Sequence, residues 1–368
     1  MNTQEKQNTI TTNQPISFPP EVLARIAPDI SLQRHLQLGL RPCLRKFEEF
    51  REYRTTDGEL SNKNNPCVLG SNISRLGEMF VITTITGGII EENMPVTEID
   101  TVKDEIPDFE ENTKGEVGFA SVYPIVQVER GRVGAPTDEE MIVSQKLCES
   151  ILNSQLITNN SLSINSIGIR NAETQEIVYD SQKEQNERKL LNNRKWSYVL
   201  YSKQQVFSRN SPIFELCLNS LVLALKTVKL PRAYIDERAI DLKIPIRTRG
   251  RSANIRESYD LNFDINERVP LTLNIANIGF ASNFGVIKVE NSNEDPILLA
   301  DLESEAEESS ILSRISIIST PTNKGSATTN FKSIYMAASG DNVPMHLLKR
   351  ALEISCERTN DLYKKLSK

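Results

Sequence analysis

The chain of 368 residues predicts an α+β protein made of two similar halves, each with a mixed β-sheet packed against α-helices. Three observations carry this. Stretches with strand-type alternation are interleaved with helical apolar stripes on both sides of a highly polar segment, residues 181–195, SQKEQNERKLLNNRK. The order of strands followed by an apolar helix recurs after that segment, which suggests duplication. The length suffices for two modest domains, each able to bury most of the surface its unfolded segment would expose. The expected organisation is a disordered tail at 1–16, a first half at 17–180, a linker at 181–195 and a second half at 196–368.

Each element follows from local pattern. Residues 1–16 are rich in Asn, Thr and Gln and lack a core-forming period. Pro19 and Pro20 open a helical pattern in EVLARIAPDISLQRHLQLGL. Two strands are expected in CVLGSNISRLGEMFVITTITGGII, with a hairpin turn at Arg75 to Gly77 and a buried strand rich in β-branched residues from Phe80 to Ile90. Residues 91–116 are rich in Asp and Glu without a sustained period and read as an acidic surface loop. FASVYPIVQVE returns to strand character, and Thr137 with Glu140 forms a capping box for a helix whose core-facing stripe is Val143, Leu147, Cys148, Ile151 and Leu152.

Beyond the polar segment, the strand WSYVLYSKQQVF leads to the nearly all-apolar helix SPIFELCLNSLVLALKTV, which should lie buried between layers. RAYIDERAIDLKIPI, SANIRESYDLNF, PLTLNIANIGF, FGVIKV, ILSRISII and FKSIYMAA read as strands. The closing helix carries Leu348, Leu352, Leu362 and Leu366 on one face, with basic residues near its end where the helix dipole favours them.

Composition narrows the chemistry. A net charge of -6 argues against coating nucleic acid by bulk charge, so an RNA contact would be a local patch. The five cysteines, Cys43, Cys67, Cys148, Cys217 and Cys356, have neither zinc spacing nor the pattern of a disulfide scaffold, which points to a reducing compartment. No apolar stretch approaches the roughly 20 residues that span a bilayer, and the N-terminus lacks an apolar signal region, so a soluble intracellular protein without membrane association is expected.

His35 and His346 are the only histidines, and neither has a nearby nucleophile or ligand partner in sequence, so structural roles are expected. No GxSxG elbow supports a hydrolytic triad. No nucleotide-binding glycine motif is present, and no cofactor or metal is implied. The glycines of LGSN at 69–72 and TGG at 86–88 could let the backbone approach phosphate, but suit tight turns or a strand bulge better. In RTRGRS, Arg247, Arg249 and Arg251 alternate, so an extended backbone would put all three guanidinium groups on one side, able to follow an RNA backbone or to pair with a neighbouring subunit. Arg130 and Arg132 in VERGRVGA form a second candidate, and no aromatic residue interleaves with either patch to stack bases.

One stretch carries a resemblance. LGLRPCLRKFEEFREY, residues 38–53, resembles the signature of the RNase PH family, in which Arg-x-Asp-Gly-Arg is followed by a Glu and an Arg. Arg41, Arg45, Glu49 and Arg51 fit, whereas Cys43 and Leu44 replace the Asp-Gly pair. FPPEVLARIAPDISLQRHLQLG, GSNISRLGEMFVITTITGGIIEE, VYPIVQVERGRVGAPTDEE, RKWSYVLY and VKLPRAYIDERA extend the likeness, in matching order, to the eukaryotic exosome ring subunits of that family. It runs from about residue 17 to the C-terminus and leaves out the polar start and the acidic loop. It implies an RNase PH-like fold.

The resemblance also implies what is missing. Phosphorolytic members carry, after an acidic turn, Asp-Leu-Asp…Glu-Asp-x-x-Cys-Asp-x-Asp, whose last carboxylates lie at the active site. In DLESEAEESSILSRISII, residues 301–318, Asp301, Leu302, Glu307 and Glu308 keep the acidic approach, but the final acids fall on Leu312 and Arg314. Neither side chain can accept the proton or hold the metal that phosphorolysis needs. The family's Gly-Gly-Thr-Arg phosphate turn reads Arg209-Asn210-Ser211-Pro212-Ile213, without the glycines and with one N–H removed at Pro212.

The resemblance therefore implies a catalytically inactive structural subunit of the exosome ring that guides RNA in 3′ processing and decay. Its partners would be five other RNase PH-like ring subunits, RNA-binding cap subunits, a separate hydrolytic nuclease and single-stranded RNA, in nucleus, nucleolus and cytoplasm. The alternative is a phosphate-dependent exoribonuclease acting at a composite site, with a partner supplying the acids and the phosphate turn. An obligate ring member should be poorly stable alone.

Overall fold

The computed structural model describes residues 18–61, 65–92, 118–131, 134–164, 167–171, 173–179, 195–236, 244–246, 256–258, 261–289, 295–321, 331–339 and 342–366. The first helical pattern forms two helices, α1 (Pro20–Ile26) and α2 (Pro28–Gln37). Pro28 causes the break: its ring disfavours the helical region for the residue before it, and Ala27 sits at φ -139° and ψ 80°.

The next strands are β1 (Tyr53–Asp57), β2 (Gly70–Leu76) and β3 (Met79–Glu92); β2 and β3 form the expected hairpin, but its turn is Gly77 and Glu78, with Gly77 at φ 62°, since Arg75 and Leu76 still pair with Phe80 and Met79. Then come β4 (Phe119–Ala120), β5 (Tyr123–Val128) and α3 (Asp138–Ser154). The predicted capping box is present, with both the Thr137 and the Glu140 side chains accepting backbone N–H groups. Short elements follow: β6 (Ile157–Thr158), α4 (Asn159–Leu162), β7 (Gly168–Arg170) and β8 (Ile177–Val178).

The long strand β9 (Lys195–Phe207) pairs antiparallel with β3 and parallel with β5, giving a five-stranded sheet of order β1-β2-β3-β9-β5. The first strand after the polar segment thus lies inside the sheet that holds the strands before it. The apolar helix is α5 (Phe214–Lys226), buried from Phe214 to Leu225. It packs on β2 and β3 below and, above, on β14 (Phe280–Ile287). Asn219 fixes the upper contact, accepting the Ala281 N–H at 2.8 Å and donating to the Ala281 carbonyl at 3.3 Å. Ser220 fixes the lower one through Thr83 and Asn72, both at 2.7 Å. Asn219 and Ser220 therefore both have partners, which offsets their desolvation and sets one register.

The remaining strands are β10 (Lys229–Asp236), β11 (Ile244–Ile246), β12 (Arg256–Ser258) and β13 (Asn262–Pro270) before β14, then β15 (Ile297–Ala300), β16 (Ser313–Ser319) and β17 (Phe331–Ala338). Helix α6 (Ser304–Ser310) precedes β16, and α7 (Met345–Leu366) closes the chain. A second, antiparallel sheet has the order β15-β14-β16-β17, a third β13-β10-β7-β8, and two-stranded sheets join β11 to β12 and β4 to β6. Ala351 and Ile354 of α7 cover Phe284, Ile315 and Ile317, with Leu348 and Leu352 at the margin, while Leu362 joins the main core.

Mixed sheets packed with helices confirm the α+β class. Four local expectations change. RAYIDERAIDLKIPI is β10 and β11 in different sheets, and SANIRESYDLNF divides between β12 and β13. PLTLNIANIGF is not a strand: residues 275–277 form a 3-10 turn and β14 begins at Phe280. On α3 the core-facing side is Val143, Leu147, Ser150, Ile151 and Ser154, with Leu152 44% exposed and Cys148 half-buried, because α3 packs between β5 and β17 rather than flat on one sheet. The acidic loop at 91–116 falls outside the described residues from 93 on.

Candidate functional site

The site predicted from the RNase PH signature gathers four distant segments. After α2, Gly39 at φ 72° and Leu44 at φ 60° turn the chain so that Arg41, Arg45 and Arg51 face the end of β15 and the start of α6. Leu44 stands where the family signature has glycine, and it keeps a left-handed backbone that glycine adopts freely and leucine does not. The Leu44 N–H donates to the Arg41 carbonyl at 2.9 Å, closing the turn.

Arg41 is wholly buried. Its guanidinium grips Glu307 with Nε to Oε1 at 2.9 Å and Nη2 to Oε2 at 2.6 Å, and donates to the carbonyls of Ala300 and Asp301 at 2.8 and 3.0 Å. Glu307 also accepts the Glu303 N–H at 2.8 Å, which secures the first turn of α6. Arg51 makes a second fork, on Asp301, with Nε to Oδ2 at 2.8 Å and Nη2 to Oδ1 at 2.7 Å, and its own N–H donates to Oδ2 at 2.9 Å. Arg45 completes the lattice with the Asp301 carbonyl and Glu303, both at 3.0 Å. Burial would raise the Asp301 carboxyl, but the hydrogen bonds and charge of Arg51, with the charge of Arg358, hold it below its ordinary value.

Asp301, Glu303 and Glu307 of the acidic run are thus occupied by the arginines of the signature, and their geometry serves cohesion. Glu49, the remaining signature residue, is exposed and accepts the Lys46 N–H at 3.1 Å.

The phosphate-turn position is equally engaged. Arg209 donates to Glu139 at 3.1 and 2.8 Å and to Glu308 at 2.7 Å. The Asn210 carbonyl accepts the Ser304 N–H at 3.0 Å, and Arg51 donates to Asn210 Oδ1 at 3.3 Å and to Ser211 Oγ at 2.9 Å. Behind the turn, Glu215 of α5 is paired with Arg358 of α7, whose guanidinium lies 3.6 Å from the centroid of the Phe50 ring. Burial pushes the Glu215 carboxyl up, against the pull of Arg358.

At the two family acid positions, Leu312 is 54% exposed and Arg314 lies at the mouth of β16. Arg314 donates to the carbonyls of Ile311, at 3.1 Å, and Glu308. Among the described residues no cluster of three His, Cys, Asp or Glu side chains could hold a metal ion.

Of the arginines predicted to meet RNA, Arg130 is described: it is exposed and lies 3.5 Å from Glu139, which also binds Arg209. Glu308 then links Arg209 to Arg314 at 3.8 Å, so Arg130, Arg209 and Arg314 share one strip with two carboxylates. Arg132, Arg247, Arg249 and Arg251 lie outside the described residues, the last three between β11 and β12, which pair antiparallel with Ile246 opposite Arg256. Sequence reasoning missed Arg209, Arg358 and Glu215 as charge partners. Only the acidity of Glu215 inside an all-apolar helix signalled that a cation had to meet it.

Comparison with known proteins agrees with this fold. Residues 49–231 match the model of the 3′ exoribonuclease family, domain 1. The exosome complex component rrp43 of Schizosaccharomyces pombe is 27% identical over 231 residues, covering 62% of this chain and 67% of that protein. Two solved structures share the fold: the Archaeoglobus fulgidus exosome with RNA bound to the active site, at a TM-score of 0.55 and 14% identity over 94% of this chain and 99% of that one, and an archaeal exosome core, at 0.55 and 15% over 95% and 100%. With its signature arginines, its mixed sheets packed with helices and a matched domain 1, the chain has an RNase PH-like fold and is similar to exosome ring components.

Proposed function

We propose that this chain is a catalytically inactive subunit of an exosome-type ring, which holds the ring together and guides single-stranded RNA toward a separate hydrolytic nuclease. The observation that carries the reading is the engagement of the ancestral site. Asp301, Glu307 and Glu308 are bound to Arg51, Arg41 and Arg209, and the two terminal acid positions hold Leu312 and Arg314. Phosphorolysis needs a carboxylate near the scissile linkage and donors for the attacking phosphate. Leucine offers neither, and the Arg314 and Arg209 guanidinium groups are already satisfied by carbonyls and carboxylates of the same chain.

The similarity to rrp43 and to archaeal exosome chains supports membership of such a core. The partners on this reading are five other RNase PH-like chains, RNA-binding cap subunits and the hydrolytic nuclease, in the nucleus, nucleolus and cytoplasm. RNA contact falls to Arg130 and to the RTRGRS arginines. The test is phosphate-dependent degradation of a single-stranded RNA by the purified chain and by its assembly. Release of nucleoside diphosphates that disappears on mutating this chain would instead favour the composite-site enzyme.

A further inference from the structure

Lys146 stands where three elements meet. It belongs to α3, and its ammonium lies 3.9 Å from the ring centroid of Phe214, the first residue of α5, and 4.1 Å from that of Tyr335 on β17. The two rings meet edge to face at 79° and form two walls of a clasp around one amine. The Tyr335 ring is fixed by its hydroxyl, which shares a hydrogen bond of 2.9 Å with Ser150, one turn further along α3. Lys146 itself is half-buried, so part of its side chain stays open to solvent.

A cation drawn out of water is ordinarily met by a carboxylate. Here the charged groups of the surrounding elements are turned elsewhere. On α3, Asp138 is exposed two turns back, Glu139 binds Arg130 and Arg209, Glu140 accepts the Val128 and Thr137 N–H groups, and Glu149 accepts from Gln145 at 2.7 Å. On α5, Glu215 pairs with Arg358, and Lys226 lies at the far end of the helix over Tyr363. On β17, Lys332 donates to Asn277 at 2.7 Å. Among the described residues the Lys146 ammonium makes neither a hydrogen bond nor an ion pair. The ring faces attract the charged form while shielding it from water, and the shielding prevails: burial lowers its pKa to about 8. A desolvated amine without a counter-ion is a nucleophile near neutral pH.

We propose that Lys146 is an acyl acceptor, which takes acyl groups from thioesters without the help of an enzyme; this stands apart from the ring reading. The lone pair of the neutral amine attacks the thioester carbonyl and a C–N bond forms. The C–S bond breaks, the thiolate leaves, and the proton lost by the nitrogen goes to solvent. The product is a neutral amide that no longer attracts the two ring faces, so acylation loosens β17 from α3.

The test incubates the purified assembly containing the full chain with acetyl-coenzyme A over a range of pH and follows acetylation of each lysine by peptide mass spectrometry. At pH 7.5 a pKa of about 8 leaves about a quarter of the amine neutral, against roughly a thousandth for an ordinary lysine. Lower basicity gives back part of that gain as weaker nucleophilicity, so Lys146 should react about tenfold faster than the exposed Lys203 and Lys349. Its rate should level off above about pH 9 while theirs still rise, and in urea the three should react alike. Hydrogen exchange over residues 331–338 should be faster in acetylated molecules. A Lys146 no faster than Lys203 and Lys349 at pH 7.5, or one whose rate climbs in parallel with theirs, would overturn the assignment. Unchanged exchange at 331–338 would overturn the loosening.

Discussion

Arg51 and Asp301, 250 positions apart in the chain, face each other as two parallel forks, with Nε and Nη2 at 2.8 and 2.7 Å from the two carboxylate oxygens. Both side chains are nearly closed to water. Removing Arg51 takes both fork bonds from a buried carboxylate that keeps Arg45 at 3.3 Å, a loss of up to about 3–5 kcal/mol. Arg51→Ala should therefore release residues 40–52 from α6, seen as faster hydrogen exchange of that segment in the purified assembly. Exchange unchanged from wild type would show that the pair is dispensable.

The same carboxylate sets an acid limit. Asp301 has a folded-state pKa below its unfolded value, so its stabilising contribution is present above about pH 4 and is lost as pH falls through the lower folded value. Between those limits wild type should lose stability with falling pH, and Asp301→Asn should flatten the slope over that window. Denaturant midpoints measured against pH check the sign.

Leu44 keeps a glycine conformation at φ 60°. A left-handed leucine costs roughly 1–2 kcal/mol, part of which glycine returns as extra freedom in the unfolded chain. Leu44→Gly should raise the melting temperature by a few degrees. A fall would mean that the side chain packs on something beyond this chain.

Lys146 lies 3.9 and 4.1 Å from the ring centroids of Phe214 and Tyr335, and burial lowers its pKa to about 8. The unfolded chain then binds more protons than the fold between pH 8 and about 10.4, so this group makes stability rise with pH over that interval. Lys146→Met should remove the rise. The pH dependence of the melting temperature measures it directly.

Leu312→Asp with Arg314→Asp would return carboxylates to the family positions. No phosphorolysis should follow, because Arg209 stays bound to Glu139 and Glu308 and the turn still contains Pro212. Exposed Leu312 should accept the change within about 0.5 kcal/mol. Gain of phosphate-dependent RNA cleavage would contradict the account of the turn.

What the sequence made legible was mostly local. The Thr137–Glu140 box, the hairpin at Gly77 and the burial of the helix from Phe214 are written in neighbouring residues and appear as read. The signature arginines were found, yet their partners lie at 300–307, and pairing over such a span leaves no periodic trace. Leu44 shows the converse, since its side chain breaks the family pattern while its backbone preserves it. The strands from 232 to 280 were misjudged because β-branched composition does not tell where a chain changes sheet.

The central claim, a silent ring subunit, is tested most directly by isolating the tagged chain at natural abundance and weighing the intact assembly by native mass spectrometry. The account predicts one copy of this chain with five different RNase PH-like chains, cap proteins and a hydrolytic nuclease. A homo-oligomer, or a pair with one active-type partner that degrades RNA only in phosphate, would contradict it.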